Sequence, residues 1–215
     1  MGSQRLSDAR RGGPRWPGAV ALLSIGASYL AFSDYVTVVP RFWLPGLMAI
    51  SVVVLLIAQA RGRHRLARVI SFGLLVVLTA SLLLREFFLV STLSGRGASP
   101  LSVLVDAVLI WVSTVVTFAV WYWEIDGDGP AGRTTETHAS EDFLFPQMEQ
   151  KDSERAVGWT PGFLDYLFVA FTTSSAFGPT DTPVLSGRVK ILTVIQAVLS
   201  LVVIIVLVSW AVGTL

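Results

Sequence analysis

Ten consecutive residues near the C-terminus hold most of the chain's usable polar chemistry. Thr172, Thr173, Ser174, Ser175, Ala176, Phe177, Gly178, Pro179, Thr180 and Asp181 bring five hydroxyls, a Gly-Pro pair and a carboxylate together after a long apolar run. Hydroxyls and turn carbonyls gathered in this way can replace an ion's hydration shell, and an acid beside them can form a charged ring at a pore mouth. Two plainer uses stand beside that one: the hydroxyls can cap a helix end, and Asp181 can cap the turn before Pro183. A nucleophile among Ser174, Ser175 and Thr180 has no nearby base in sequence, because the two histidines are His64 and His138, and no Gly-x-Ser-x-Gly elbow occurs. Cysteine is absent, which excludes thiolate metal sites, disulfides and cysteine nucleophiles. Asp126-Gly127-Asp128-Gly129 opens like a calcium loop, but Thr137 stands where the twelfth-position acid belongs, so a solvated turn is the better reading. No enzyme chemistry, metal site or cofactor is expected.

Further polar residues interrupt the apolar runs. Ionisable groups inside a span are functional candidates by default. Arg85, Glu86 and Asp106 fall within a turn or two of the ends of two successive runs, on one side of the membrane, and Asp34 lies near that side too. An interfacial pair of Arg85 with Asp106, its charges snorkelling toward water, is expected. Gln196, within the last run, is read as a helix-to-helix hydrogen bond worth about 0.6 kcal/mol in a membrane; the other reading makes it a pore-lining group.

Membrane helices must position these residues. The chain is 53% hydrophobic and 14% charged, with a mean hydropathy of +0.67, more apolar than a soluble core of this length requires. A net charge of +1 sets nucleic acid aside. Arginine outnumbers lysine among many alanines, glycines and valines, in keeping with a high-GC bacterial gene. Runs of about 20 apolar residues, enough to cross a bilayer, cover 17–39, 43–60, 67–90, 101–123 and 189–212. The first is too long for a signal-peptide core and lacks a small-x-small site, so a retained helix is expected behind the arginine-rich residues 1–15. Pro40, Pro45 and Gly46 predict a break and a tight hairpin before the second run, and four arginines between Arg61 and Arg68 predict a loop before the third.

Residues 124–160 hold nine acids and form the expected water-exposed segment. Within it, Asp142-Phe143-Leu144-Phe145-Pro146-Gln147 either docks against protein or membrane or collapses as a loop. Thr160-Pro161 predicts a helix start, with threonine as cap and proline at the first helical position. The apolar helix that follows has some 15 residues, roughly 22 Å, too short to cross. It predicts a helix that enters the membrane and returns. The fold expected is all-α, with five transmembrane helices and one re-entrant half-helix: a basic cytoplasmic tail (1–15), a four-helix membrane region (16–123), an acidic soluble loop (124–160), and a re-entrant helix, polar turn and last span (161–215).

Asp165-Tyr166-Leu167-Phe168-Val169-Ala170-Phe171-Thr172-Thr173, a glycine-containing turn, an acid followed by Arg188 and a long last helix resemble the pore helix, filter and inner helix of two-helix potassium channel modules over about the last 55 residues. The family's Thr-Val-Gly-Tyr-Gly-Asp filter is replaced by Ser175-Ala176-Phe177-Gly178-Pro179-Thr180-Asp181. The resemblance therefore implies a pore loop, not potassium selectivity. It also implies a homo-oligomer, most plausibly a tetramer, with monovalent ions as the permeant class. With its Trp121-Tyr122-Trp123-Glu124-x-Asp126, Asp142-Phe143-Leu144-Phe145-Pro146-Gln147 and Phe177-Gly178-Pro179-Thr180-Asp181-Thr182 stretches, the whole chain resembles a group of actinobacterial multi-pass membrane proteins, which implies a cell-membrane location and no particular activity. Arginines near span ends place the N-terminus and the Arg61 to Arg68 loop in the cytoplasm; residues 124–160 follow them there, and the half-helix enters from inside, the sense of ionotropic glutamate receptor pores, whereas the other orientation, with the 124–160 loop external, leaves eight arginines outside. The other functions weighed are a non-conducting scaffold or accessory protein that binds a partner through the acidic segment, and a transporter, whose paired broken helices are not visible in the sequence.

Overall fold

In a computed structural model, the residues described are 16–36, 40–93, 99–130, 142–149, 159–175 and 181–213. The fold is all-helical: α1 (Trp16–Ser28), α2 (Trp43–Ala60), α3 (His64–Leu93), α4 (Pro100–Ile125), the short α5 (Pro146–Glu149), α6 (Phe163–Ser174) and α7 (Gly187–Gly213), with 3-10 turns at Asp34–Val36 and Asp126–Asp128. Four helices, α2, α3, α4 and α7, are long and apolar enough to cross a membrane, while α1 and α6 are shorter.

The apolar window of α4 is 61% buried, against 22–33% for the other three long helices. α4 is therefore the axis of the bundle, packed by α1, α3, α6 and α7, and α2 is held through α1 and α3. Much of the remaining apolar surface faces outward: Val69, Phe87, Ile191 and Val212 are all more than 60% exposed. Such faces are stable in a hydrocarbon solvent and a liability in water.

Contacts along α4 set the direction of its neighbours. Gly18 at the start of α1 lies against Trp123 so closely that a Cβ there would sit 2.3 Å from the ring, and Ser28 meets Ser113 at 3.2 Å. α3 begins beside Asp128, which Arg68 binds at 2.9 Å, and passes Thr79 under the Trp121 indole N–H at 3.0 Å. Both helices are antiparallel to α4. The start of α1, the Arg61–Arg68 turn, Asp126–Asp128 and Arg188 consequently share one end of the bundle, here the loop end. Arg41 and Ser99 lie toward the other.

Several boundaries depart from the sequence expectation. Within the described part of the run 17–39, the α-helix ends at Ser28, whose hydroxyl bonds the Ile25 carbonyl at 2.7 Å; beyond it the Ser33 N–H leaves the helical pattern for Asp106 Oδ1 at 3.0 Å. A side chain of α4 has thus taken a donor the helix would have used. Pro45 and Gly46 do not break α2: Pro45 falls in its first turn, where an N–H would have had no partner within the helix, and the Gly46 N–H makes the helix's first bond, to Phe42 O at 3.0 Å. The Arg61–Arg68 loop shrinks to a Schellman turn: Gly62, with φ +69, donates to Gln59 O at 2.9 Å and Arg63 to Ala58 O at 2.9 Å, and α3 then takes in Arg65 and Arg68. Ser99 caps α4 through the Ser102 N–H at 3.1 Å, ahead of Pro100 at the first helical position.

Candidate pore segment and the polar contacts that hold it

α6 starts two residues later than Thr160-Pro161 foretold. Gly162 is the N-cap residue, and Asp165 reaches back to accept its N–H at 2.7 Å, a first-turn carboxylate that also complements the positive helix end. Phe163 stacks edge-on against Trp123, ring centroids 5.8 Å apart, at the loop end of α4. Eleven residues further on, the Ser174 carbonyl accepts from Trp111 Nε1 at 3.3 Å, and Phe171 packs against the same indole. Trp111 is the twelfth of α4's 26 residues, so α6 ends near the middle of the bundle, about 18 Å from where it started. The chain is back at the loop end by Val184, which bridges to Phe143. The segment enters and leaves at the same end of α4.

Ala176, Phe177, Gly178, Pro179 and Thr180 lie outside the described residues. The hydroxyls before them are turned onto their own helix: Thr172 to Phe168 O and Val169 O, both at 3.0 Å, Thr173 to Val169 O at 2.8 Å, and Ser175 to Phe171 O at 2.6 Å. Asp181 is exposed. Ser174 is fully buried and bonds Gln196.

Gln196 ties three helices together. Its Nε2 donates to Ser174 Oγ and to the Ala170 carbonyl, each at 2.7 Å, and its Oε1 accepts from the Tyr122 hydroxyl at 2.5 Å. With 0% exposure, the residue makes a helix-to-helix contact in the single chain and does not face an open pathway.

At the loop end, a second set of polar contacts fixes where α6 and α7 start. Asp126 closes α4 and accepts from the Asp142 N–H at 2.9 Å and the Tyr166 hydroxyl at 2.5 Å. Asp142, itself 0% exposed, takes a bidentate pair from Arg188 at 2.9 and 2.6 Å, the geometry that suits guanidinium to carboxylate. Main-chain bonds from Leu144 to Pro183 O (3.0 Å) and from Leu185 to Asp142 O (2.8 Å) complete the clasp. Phe143 and Phe145 fill the space beneath it against Tyr122 and Tyr166. Of the two readings for Asp142 to Gln147, docking on protein is the one found. The acids Glu124, Asp126 and Asp142, expected in water, are buried. Sequence reading missed this clasp and the Trp111 contact; the signal available was an acid directly before two spaced aromatics, with an arginine at the start of the last span.

The expected Arg85–Asp106 ion pair is not formed. Asp106 accepts from the N–H and hydroxyl of Ser33, and the Arg85 guanidinium lies 4.0 and 4.1 Å from the ring centroids of Tyr29 and Phe32. The irregular stretch after α1 comes between the two charges' expected positions and supplies aromatic faces, which bind a guanidinium well once water is excluded. Glu86 is 5% exposed with Oε1 unpartnered. Among the described residues, no group of three or more histidines and acids gathers as a metal site. No family model, curated protein or solved structure matches the chain.

Proposed function

We propose that the chain is a subunit of an oligomeric, cation-conducting membrane protein of five membrane-crossing segments, in which residues 172–181 of each copy line a shared pathway. The carrying observation is the half-depth course of α6: it begins at Trp123, ends at Trp111 and is followed by a return to the same end of the bundle. Irregular backbone at that depth is stable only where protein buries it or water fills a cavity beside it. α6 also directs its C-terminal, carbonyl-bearing end inward. That end carries roughly half a negative charge, which favours a cation at the start of 176–180, and exposed Asp181 adds a second negative group on the return. The fifth crossing is α1 with the irregular residues 29–36, which together run from the level of Trp123 to that of Asp106. The cytoplasmic N-terminus and the plasma membrane location belong to the same proposal and rest on the arginine distribution.

A single re-entrant segment cannot enclose a pathway, so the reading requires several copies around one axis. Leu164 (75% exposed), Phe168 (61%) and Phe171 (48%) form an apolar face on α6 that a neighbouring copy would cover. Mass measurement of the protein in lipid nanodiscs is expected to give a closed oligomer, four copies being the favoured number. A strictly monomeric particle at every protein-to-lipid ratio contradicts the proposal.

The second reading is a non-conducting scaffold or accessory protein. It is favoured by one observation, that Thr172, Thr173 and Ser175 all spend their hydroxyls on α6's own carbonyls. Under it, the acidic segment recruits a partner, and α6 serves only to pack.

A further inference from the structure

At the end of the bundle away from the clasp, α4 begins beside an open cavity of about 320 Å³, within the range of about 300–1,000 Å³ typical of small-molecule sites. Asp106, only 3% exposed, lies in its lining together with Ser33, Ser102 and Arg41. The carboxylate accepts two bonds, both from Ser33, and a carboxylate offers about four lone-pair sites. Arg41 stands among the more exposed lining residues, 3.0 Å from Asp34. Among the described lining residues, one cation, Arg41, and one anion, Asp106, therefore face a cavity that is otherwise apolar or hydroxyl-bearing. A zwitterion fits such a site better than a net anion or cation does.

The same turn of α4 opens an apolar track. Leu101 (67% exposed), Val105 (43%), Val108 (45%) and Val112 (45%) recur at helical spacing on one outward face. The track starts in the cavity lining, at Leu101 and Val105, and runs toward the middle of the bundle. We propose that the cavity holds the headgroup of a membrane phospholipid bearing a primary ammonium, with an acyl chain lying along this track. The ammonium donates to Asp106, and the phosphate faces Arg41. A trimethylammonium headgroup has no N–H to offer Asp106, and an anionic headgroup leaves the buried carboxylate facing like charge.

The test is native mass spectrometry of lipids retained by the intact protein, exchanged into phosphatidylethanolamine, phosphatidylcholine or phosphatidylglycerol of identical acyl chains. Phosphatidylethanolamine is expected to be retained about tenfold over phosphatidylcholine, the worth of one charge-assisted hydrogen bond, and Asp106→Asn is expected to bring the two to parity. Val105→Trp, a change at an exposed position that fills the cavity wall, is expected to reduce retention of all three lipids, and it keeps the test decisive if the Asp106 variant fails to fold. Equal retention of ethanolamine and choline lipids by the native chain overturns the proposal, as does preference for phosphatidylglycerol. Displacement of the lipid by soluble phosphoethanolamine at equal concentration would overturn the membrane source. The outcome is read from bound lipid and does not depend on whether the protein conducts.

Discussion

Replacing Arg188 by alanine is expected to destabilise the protein by about 3–5 kcal/mol, the range for stripping the partner from a buried charge. The exposures of the two partners decide the size and the sign. Arg188 has half its side chain in solvent (51%) and can be rehydrated when alone, whereas the Asp142 side chain has none (0%) and cannot. Truncating Asp142 should therefore cost less than truncating Arg188. The Arg188→Ala, Asp142→Ala double variant should recover part of the loss, because a double-mutant cycle reports the coupling of groups in contact. The readout is thermal unfolding in nanodiscs together with hydrogen exchange at residues 142–145. An unchanged midpoint in the Arg188 variant would mean that water reaches the Asp142 carboxylate, and the clasp would lose its place as the anchor of α6 and α7.

Gln196→Leu is expected to have the next largest effect. Leucine matches the volume but abandons three hydrogen bonds, to Tyr122, Ala170 and Ser174. At about 0.6 kcal/mol per bond in a membrane the loss sums to about 2 kcal/mol. Because two of the three bonds hold the C-terminal part of α6, at Ala170 and Ser174, that part should loosen ahead of the bundle. Faster hydrogen exchange at 170–175 with little change in α2 and α3 is the expected pattern. Uniform acceleration across all helices would show that Gln196 supports the whole core and not the half-helix in particular.

These contacts explain what was legible from residue types alone. Long helices were, since apolar length and composition decide them: the runs near 43–60, 101–123 and 189–212 reappear as α2, α4 and α7 with ends shifted by a few residues. The shortness of the helix after Thr160 was legible for the same reason. Ser33 was not, because its backbone leaves the helix for Asp106, 73 residues away, and no local propensity encodes a partner at that distance. Asp142 and Asp126 read as solvated acids, since burial of a carboxylate depends on an arginine and a tyrosine that only the folded chain brings near. The Arg85–Asp106 pair does not form because Tyr29 and Phe32, which read in sequence as part of a regular helix, lie over the guanidinium in the folded chain. Gln196 was legible as a helix-to-helix contact from chemistry, an amide in an apolar helix, though not its partners.

Ion flux through the purified protein in sealed liposomes tests the central proposal most directly. Vesicles loaded with potassium, sodium or chloride should release a cation under a gradient when they carry the native chain. The Gly178→Ala, Asp181→Asn double variant should abolish that release or change which ion passes. Absence of flux under every gradient and voltage would contradict conduction and favour the scaffold, and flux that ignores the double variant would place the pathway away from residues 172–181.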